Sequence, residues 1–261
     1  TTGDNNVIIG YAAGDALTGG IQHTLIGSGA GGALTTGTTL TAVGFNAGTA
    51  VTTGNANVLI GAIAGDAITE GANNVAVGDS TLGAITTSSN NTAIGHNAGF
   101  TLTSGSQNVF AGTNAGKLQT TAANNVAVGF NALDATIGGG SNVAVGAAAL
   151  GANTTGVQNT AVGADALDAN TTAANNVAVG YSALGANTTG TYNTAVGWKS
   201  LSKNTTANSN SAFGESALIN TTEGANNTAV GQSTLNSNIT GGNNTAVGFE
   251  ALKINLTSNN T

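Results

Sequence analysis

The sequence predicts an all-β fold, a parallel β-solenoid (β-roll) of fifteen 17-residue coils. Three observations carry the prediction. A glycine that closes one short apolar motif falls at Gly10, Gly27, Gly44, Gly61, Gly78, Gly95, Gly112, Gly129, Gly146, Gly163, Gly180, Gly197, Gly214, Gly231 and Gly248, every step being 17 residues. No insertion or deletion interrupts the copies, so each unit stacks on the last in the same way, whereas a globular fold tolerates loops of uneven length. Val, Ile, Leu and Ala recur between the glycines, so apolar surface is available for burial at regular intervals, even though 41 Gly and only 6% charged residues would otherwise suggest disorder. Residues 1–261 thus read as one repeat-built shaft. The start at Thr1-Thr2-Gly3-Asp4 matches the tail of a unit, and the array is expected to be excised from a longer one.

Comparison of the copies with one another assigns each position. Four residues before the glycine stands Asn, unbroken from Asn57 through Asn74, Asn91, Asn108, Asn125, Asn142, Asn159, Asn176, Asn193, Asn210, Asn227 and Asn244. A column of identical amides can hydrogen-bond up and down a stack. Next come a β-branched or hydroxyl residue (Val177, Thr194, Ser211), mostly Ala, and then Val or Ile (Val179, Val196). This alternation predicts a short strand. The glycine after it supplies a positive φ or a close backbone approach at a corner.

The position after the glycine is the most variable and points away from the packed centre. It holds six of the ten aromatic residues, Tyr11, Phe45, Phe130, Tyr181, Trp198 and Phe249, a stripe able to contact sugars or a receptor or to pack between chains. Three positions after the glycine stands Ala. One further on stands Leu in later copies (Leu167, Leu184, Leu218) and Gly in most early ones (Gly14, Gly31, Gly48, Gly65). Where Gly appears, an aliphatic residue usually follows three positions later (Leu17, Leu34, Val51, Ile68), and later copies carry Asn there (Asn153, Asn170, Asn187, Asn204). One apolar side chain is expected to fill a shared space from either place, with Leu118 supplying the bulk in the Gly116 copy. Thr follows, replaced by Ile137, Ile239 and Leu256, so this site is expected to face packing. Asn-Thr-Thr-Gly (Asn153 to Gly156) is a turn signal.

Two strands of about five residues and two corners would account for each coil. So slim a coil has a thin private core. The alanines Ala178, Ala195 and Ala229 before the glycine and Ala166, Ala183 and Ala217 after it are expected to meet other chains, which favours a homotrimer of parallel rolls, with end-to-end joining into a filament as a further possibility. The Asn-Thr-Ala-Val-Gly-x-x-Ala-Leu and Asn-Thr-Thr-Gly elements, best developed from Asn124 to Leu252, resemble the repeats of bacteriophage tail-fibre shafts and bacterial surface fibre proteins. The Ala-Val-Gly core is similar to the shorter head repeats of trimeric autotransporter adhesins. The resemblance implies a trimeric extracellular shaft, a virion appendage or cell-surface filament, whose partners are its own copies and a cell-surface glycan or receptor.

Chemistry is sparse. His23 and His96 occupy different repeat positions about four coils apart and share no metal. Asp165 with Asp168, and Asp66 with Glu70, are the closest carboxylates and have no His or Lys partner, so solvated surface groups are expected. No enzyme activity, cofactor or metal is predicted. A net charge of −7 with Lys117, Lys199, Lys203 and Lys253 as the cations excludes nucleic acid, and no run reaches the roughly 18 residues of a membrane span. Asn-x-Thr triplets such as Asn170-Thr171-Thr172 and Asn204-Thr205-Thr206 could bear glycans. An ice-binding β-solenoid is the alternative function. It calls for Thr at alternate positions, whereas the paired Thr of this repeat are adjacent.

Overall fold

The computed structural model describes residues 3–260 and is an all-β parallel solenoid, with fifteen strands and, among the described residues, no helix. The strands run from β1 (Val7–Ile9) to β15 (Thr245–Val247), one per coil. The chain divides into two compact units, Thr1–Ala127 and Val128–Thr261. In the first, β1 to β7 (Val109–Ala111) pair in chain order. In the second, β9 (Val143–Val145) to β15 do the same. β8 (Val126–Val128) falls where the division is drawn. The register is that of the repeat: Val177 of β11 (Val177–Val179) lies opposite Thr194 of β12 (Thr194–Val196), and Ala178 opposite Ala195.

Each coil carries one three-residue strand where two longer ones were expected. Backbone handedness ends the strand: in one coil Gly180 has φ 133°, Ser182 50° and Leu184 52°, and each such residue turns the chain out of extended conformation. The wall built by the Thr column, in the run between Leu184 and Tyr192, is bent instead of extended, because successive N–H groups turn to one carbonyl: Thr188 and Thr189 both donate to Thr205 O (2.9 and 3.2 Å), and Thr154 and Thr155 both to Thr171 O (2.9 and 3.2 Å). Both reasons for the recurring glycine hold. At Gly180 the φ is positive, and a Cβ would lie 2.6 Å from the Gly197 carbonyl oxygen.

A strand of three residues sends its middle side chain one way and its flanks the other. Here the middle goes inward. Ala178, Ala195 and Ala229 are fully buried within their own coil, as are Ala166, Ala183 and Ala217, so the alanines expected to meet other chains line the private core instead. The opposite wall stands so close that Ala is the usual fit.

The exceptions show what sets that limit. Leu25, Leu59 and Phe110 replace the central Ala, and each is flanked by glycine on both sides of its layer. A Cβ at Gly14 or Gly31 would come within 2.8 Å of Leu25, one at Gly48 or Gly65 within 2.7 Å of Leu59, and one at Gly99 or Gly116 within 2.8 Å of Phe110. The shared volume is thus filled from three places. Leu118, expected to fill the Gly116 copy, is 46% exposed, and buried Phe110 does so because a strand centre reaches the axis while Leu118 sits past the corner. The coil after Gly78 holds both Leu82 and Ile85 in the core. The Thr column also departs from expectation, since Ile137, Ile239 and Leu256 are exposed. Ile is accepted because the Thr hydroxyl donates to a carbonyl that the backbone N–H already serves, as in Thr154 Oγ1 to Thr171 O (3.0 Å), so its loss leaves nothing unpaired.

Candidate functional site

No cleft opens in the described residues, and none of their His, Asp or Glu side chains group in threes as a metal site would need. Asp168 has its carboxyl held above the usual range by burial and by the charge of Asp165; burial alone raises that of Asp66. His96 Nε2 lies 3.8 Å from Asp79 Oδ1, both side chains being half exposed.

What each unit presents is a repeated face. With the alanines turned in, the residues on either side of them point out: Val177, Val162, Val230 and Ile94 are exposed, while Thr194 and Val196 are half-buried. These two columns contain no charged residue in any strand. Beside them runs the aromatic position. Tyr11 (85% exposed), Phe45, Phe130, Tyr181, Trp198 (45%) and Phe249 all lie open. Tyr181 and Trp198 stand on successive coils, joined by Lys199 N–H to the Tyr181 carbonyl at 2.9 Å. The others are separated by coils with small or polar residues at that position. Lys199 Nζ sits 4.6 Å from the Trp198 ring centre, a cation–π contact. Exposed Phe213 and Tyr192 add to the aromatic surface from other columns.

Behind this face the amide column holds the rungs together. Asn74 N–H donates to Asn57 Oδ1 (2.9 Å), Asn91 N–H to Asn74 (3.0 Å), Asn108 N–H to Asn91 (3.1 Å) and Asn125 N–H to Asn108 (3.0 Å). In the second unit Asn142, Asn159, Asn176, Asn193, Asn210, Asn227 and Asn244 form the same chain of bonds, at 2.9 to 3.0 Å. Their Nδ2 groups reach carbonyls across the coil, as Asn74 does to Ser88 O (2.9 Å) and Asn193 to Ala207 O (2.8 Å). Both halves of a buried amide are thus used, and removing one strands a buried N–H at a cost of about 1–3 kcal/mol.

A second ladder was missed in the sequence, where the later Asn were read as replacing an aliphatic. Asn170 Nδ2 donates to Asn153 Oδ1 (2.8 Å), Asn187 to Asn170 (3.1 Å) and Asn204 to Asn187 (2.8 Å). It meets the first at a shared carbonyl, Ala173 O, which accepts from Asn159 (2.8 Å) and Asn170 (3.2 Å). The signal was available, since this Asn repeats every 17 residues as the other does. Its consequence removes a modification site: Asn170 and Asn204 of the Asn-Thr-Thr triplets are fully buried and cannot carry a glycan in this fold.

No family model matches the chain, and neither a curated protein nor a solved structure matches it.

Proposed function

We propose that the chain is the shaft of an extracellular fibre, a virion tail appendage or cell-surface filament, in which three parallel copies pack together and hold an adhesive tip away from the base. One observation carries this reading: the uncharged, half-exposed strand face repeats coil after coil in each unit, while the interior is closed by the coil's own side chains. A surface of identical rungs suits lengthwise packing against a parallel copy, because every rung then makes the same contact. Charges are kept to the corners, as with Asp165, Glu215 and Glu250, where they oppose unspecific clumping without entering the face. The aromatic stripe beside the face serves either the seam between copies or contact with a glycan or receptor. The reading assigns no catalysis. Light scattering of the isolated chain tests it: a mass of three chains is expected, and a monomer at micromolar concentration overturns the trimer.

A second reading, an ice-binding solenoid, is favoured by one observation of its own. Thr194 and Val196 stand at alternate positions around buried Ala195, as do Thr160 with Val162 and Thr228 with Val230, and all six belong to the outward columns. Each such pair sets one hydroxyl beside one aliphatic side chain on the outward face, and in none of the fifteen strands do both outward positions hold Thr. Thermal hysteresis in the micromolar range would support this reading over the fibre, and its absence removes it.

A further inference from the structure

The amide column gains a titratable group at one rung of the first unit. His23 stands four residues before Gly27, a place that holds Asn in most coils and Leu at Leu40. Its side chain, in a residue only 1% exposed, makes both bonds of the missing amide. Nδ1 accepts from Leu40 N–H at 3.0 Å, and Nε2 lies 2.9 Å from the Gly37 carbonyl oxygen. In Asn57 the same two tasks fall to Oδ1, which accepts from Asn74 N–H at 2.9 Å, and to Nδ2, which donates to Gly71 O at 2.7 Å. On its other side His23 N–H donates to Asn6 Oδ1 at 2.9 Å, so the ring is a full member of the column.

These partners fix the protonation state. A backbone N–H can only donate and a carbonyl oxygen can only accept, so the ring is neutral with its proton on Nε2. The site is tightly closed. A Cβ on Gly20 would lie 2.5 Å from Nε2 and 2.9 Å from Leu17 Cδ1. The groups around the ring are Asn6, Leu17, Gly20, Gly37 and Leu40, none of which titrates, and the carboxylates of these coils, Asp4 and Asp15, are exposed. No negative charge is therefore at hand to receive an imidazolium. The backbone on either side belongs to the strand ladder: Val7 N–H donates to the His23 carbonyl (2.8 Å) and Thr24 N–H to that of Leu40 (2.9 Å).

We propose that His23 makes the coils from Asn6 to Leu40 an acid-labile joint: a proton taken up at Nδ1 removes the acceptor of Leu40 N–H, opposes two N–H groups and charges a closed site, so these rungs part while the asparagine-held coils stay paired. Asparagine does the same structural work and does not titrate, so this substitution is what confers the pH response. Burial, the largest influence on the ring, holds its pKa below the ordinary value, and the hydrogen bond to the Gly37 carbonyl works against that. With the folded value below the unfolded one, the joint is fully stable above about pH 6.5 and weakens as the pH falls below it. The joint is a property of the single chain and holds whether or not copies assemble.

Hydrogen exchange of the intact chain at pH 7.5 and 5.0, corrected for intrinsic rates, tests the proposal. At pH 5.0 the amides of Val7, Thr24 and Leu40 are expected to lose at least tenfold of their protection, while those of Asn74 and Asn91 keep theirs. His23→Asn, which restores the column's usual residue, should lose none, and His96→Gln should behave as the wild type. Equal protection at the two pH values, or the same loss in His23→Asn, overturns the proposal. Ring nitrogen shifts give an independent reading, because a proton found on Nδ1 at pH 7.5 would also overturn it.

Discussion

Asn204 and Thr221 mark the break in the inner ladder. Asn204 Nδ2 donates to Asn187 Oδ1, but its own Oδ1, buried, has no partner, because the next coil offers Thr221, whose hydroxyl donates instead to the Asn238 carbonyl at 2.7 Å. An asparagine at that position would repeat what the three coils before it do. Thr221→Asn is therefore expected to stabilise the second unit by about 1 kcal/mol, the net value of a hydrogen bond made to a previously unsatisfied buried acceptor, after loss of the threonine's own bond. Thermal or denaturant unfolding measures it. A destabilised variant would mean that the coil cannot widen to accept the amide.

Phe110 and Gly116 test the idea of one volume filled from several places. Phe110→Ala should cost about 3–5 kcal/mol, the usual range for emptying a buried aromatic site. Gly116→Leu alone should also destabilise, because its Cβ would fall 2.4 Å from Phe110 Cε1. Together they should recover part of the loss, with a coupling of about 1–3 kcal/mol, since the new leucine would occupy the emptied space. The backbone permits it: Gly116 has φ 60°, and Leu133 and Leu150 in the same column have 52° and 53°. Additive costs in the double-mutant cycle would refute shared filling.

That same compensation explains how much of the fold was legible. The period, the parallel register and the amide column follow from comparing copies within one chain, because each column has one chemistry repeated. The facing of the strand did not follow. Alanine is small enough to sit inside a coil or on a surface against another chain, so Ala178 and Ala195 carry no directional signal by themselves. The signal lay in the rare copies, where Leu25, Leu59 and Phe110 each appear with a glycine six residues later and another eleven residues earlier, a pairing that only an inward residue requires. The second strand was misread for a different reason. Thr-Thr favours extended chain locally, but here successive N–H groups, those of Thr188 and Thr189, both turn to the Thr205 carbonyl, which bends the run and leaves no alternating ladder. For His23 the sequence supports a structural or a surface role alike, and its place in the Asn column, four residues before Gly27, is the signal for the first.

Thr39 is a residue in the wrong conformation for its type. It is exposed, with φ 56°, in the column that holds Asn73, Asn90, Asn124 and Asn175 at φ 58° to 63°. A β-branched side chain is disfavoured in the left-handed region and Asn tolerated there. Thr39→Asn should raise stability by about 0.5–1 kcal/mol, visible as a shift of the denaturation midpoint without a change in slope. The loss of the exposed bond from Thr39 Oγ1 to the Thr38 carbonyl is too small to reverse this.

Asp168 gives a pH-dependent counterpart to His23 with the opposite sign. Its carboxyl is raised above the usual range, first by burial and then by the neighbouring charge of Asp165. A carboxyl whose folded pKa exceeds its unfolded one, about 3.9, favours the folded state when protonated, and that advantage is lost as the pH rises through the unfolded and then the folded value. Asp168→Asn removes the charge and keeps the shape, and the column already accepts Asn236. The variant is therefore expected to melt at a higher temperature than the wild type at pH 7, with the difference shrinking as the pH falls and gone by about pH 3, where the wild-type carboxyl is protonated in both states. Asp165→Asn should give a smaller gain of the same sign at pH 7, because it removes the lesser of the two causes. A gain at pH 3 equal to that at pH 7 would show that the amide acts by a new hydrogen bond and not by relieving a buried charge.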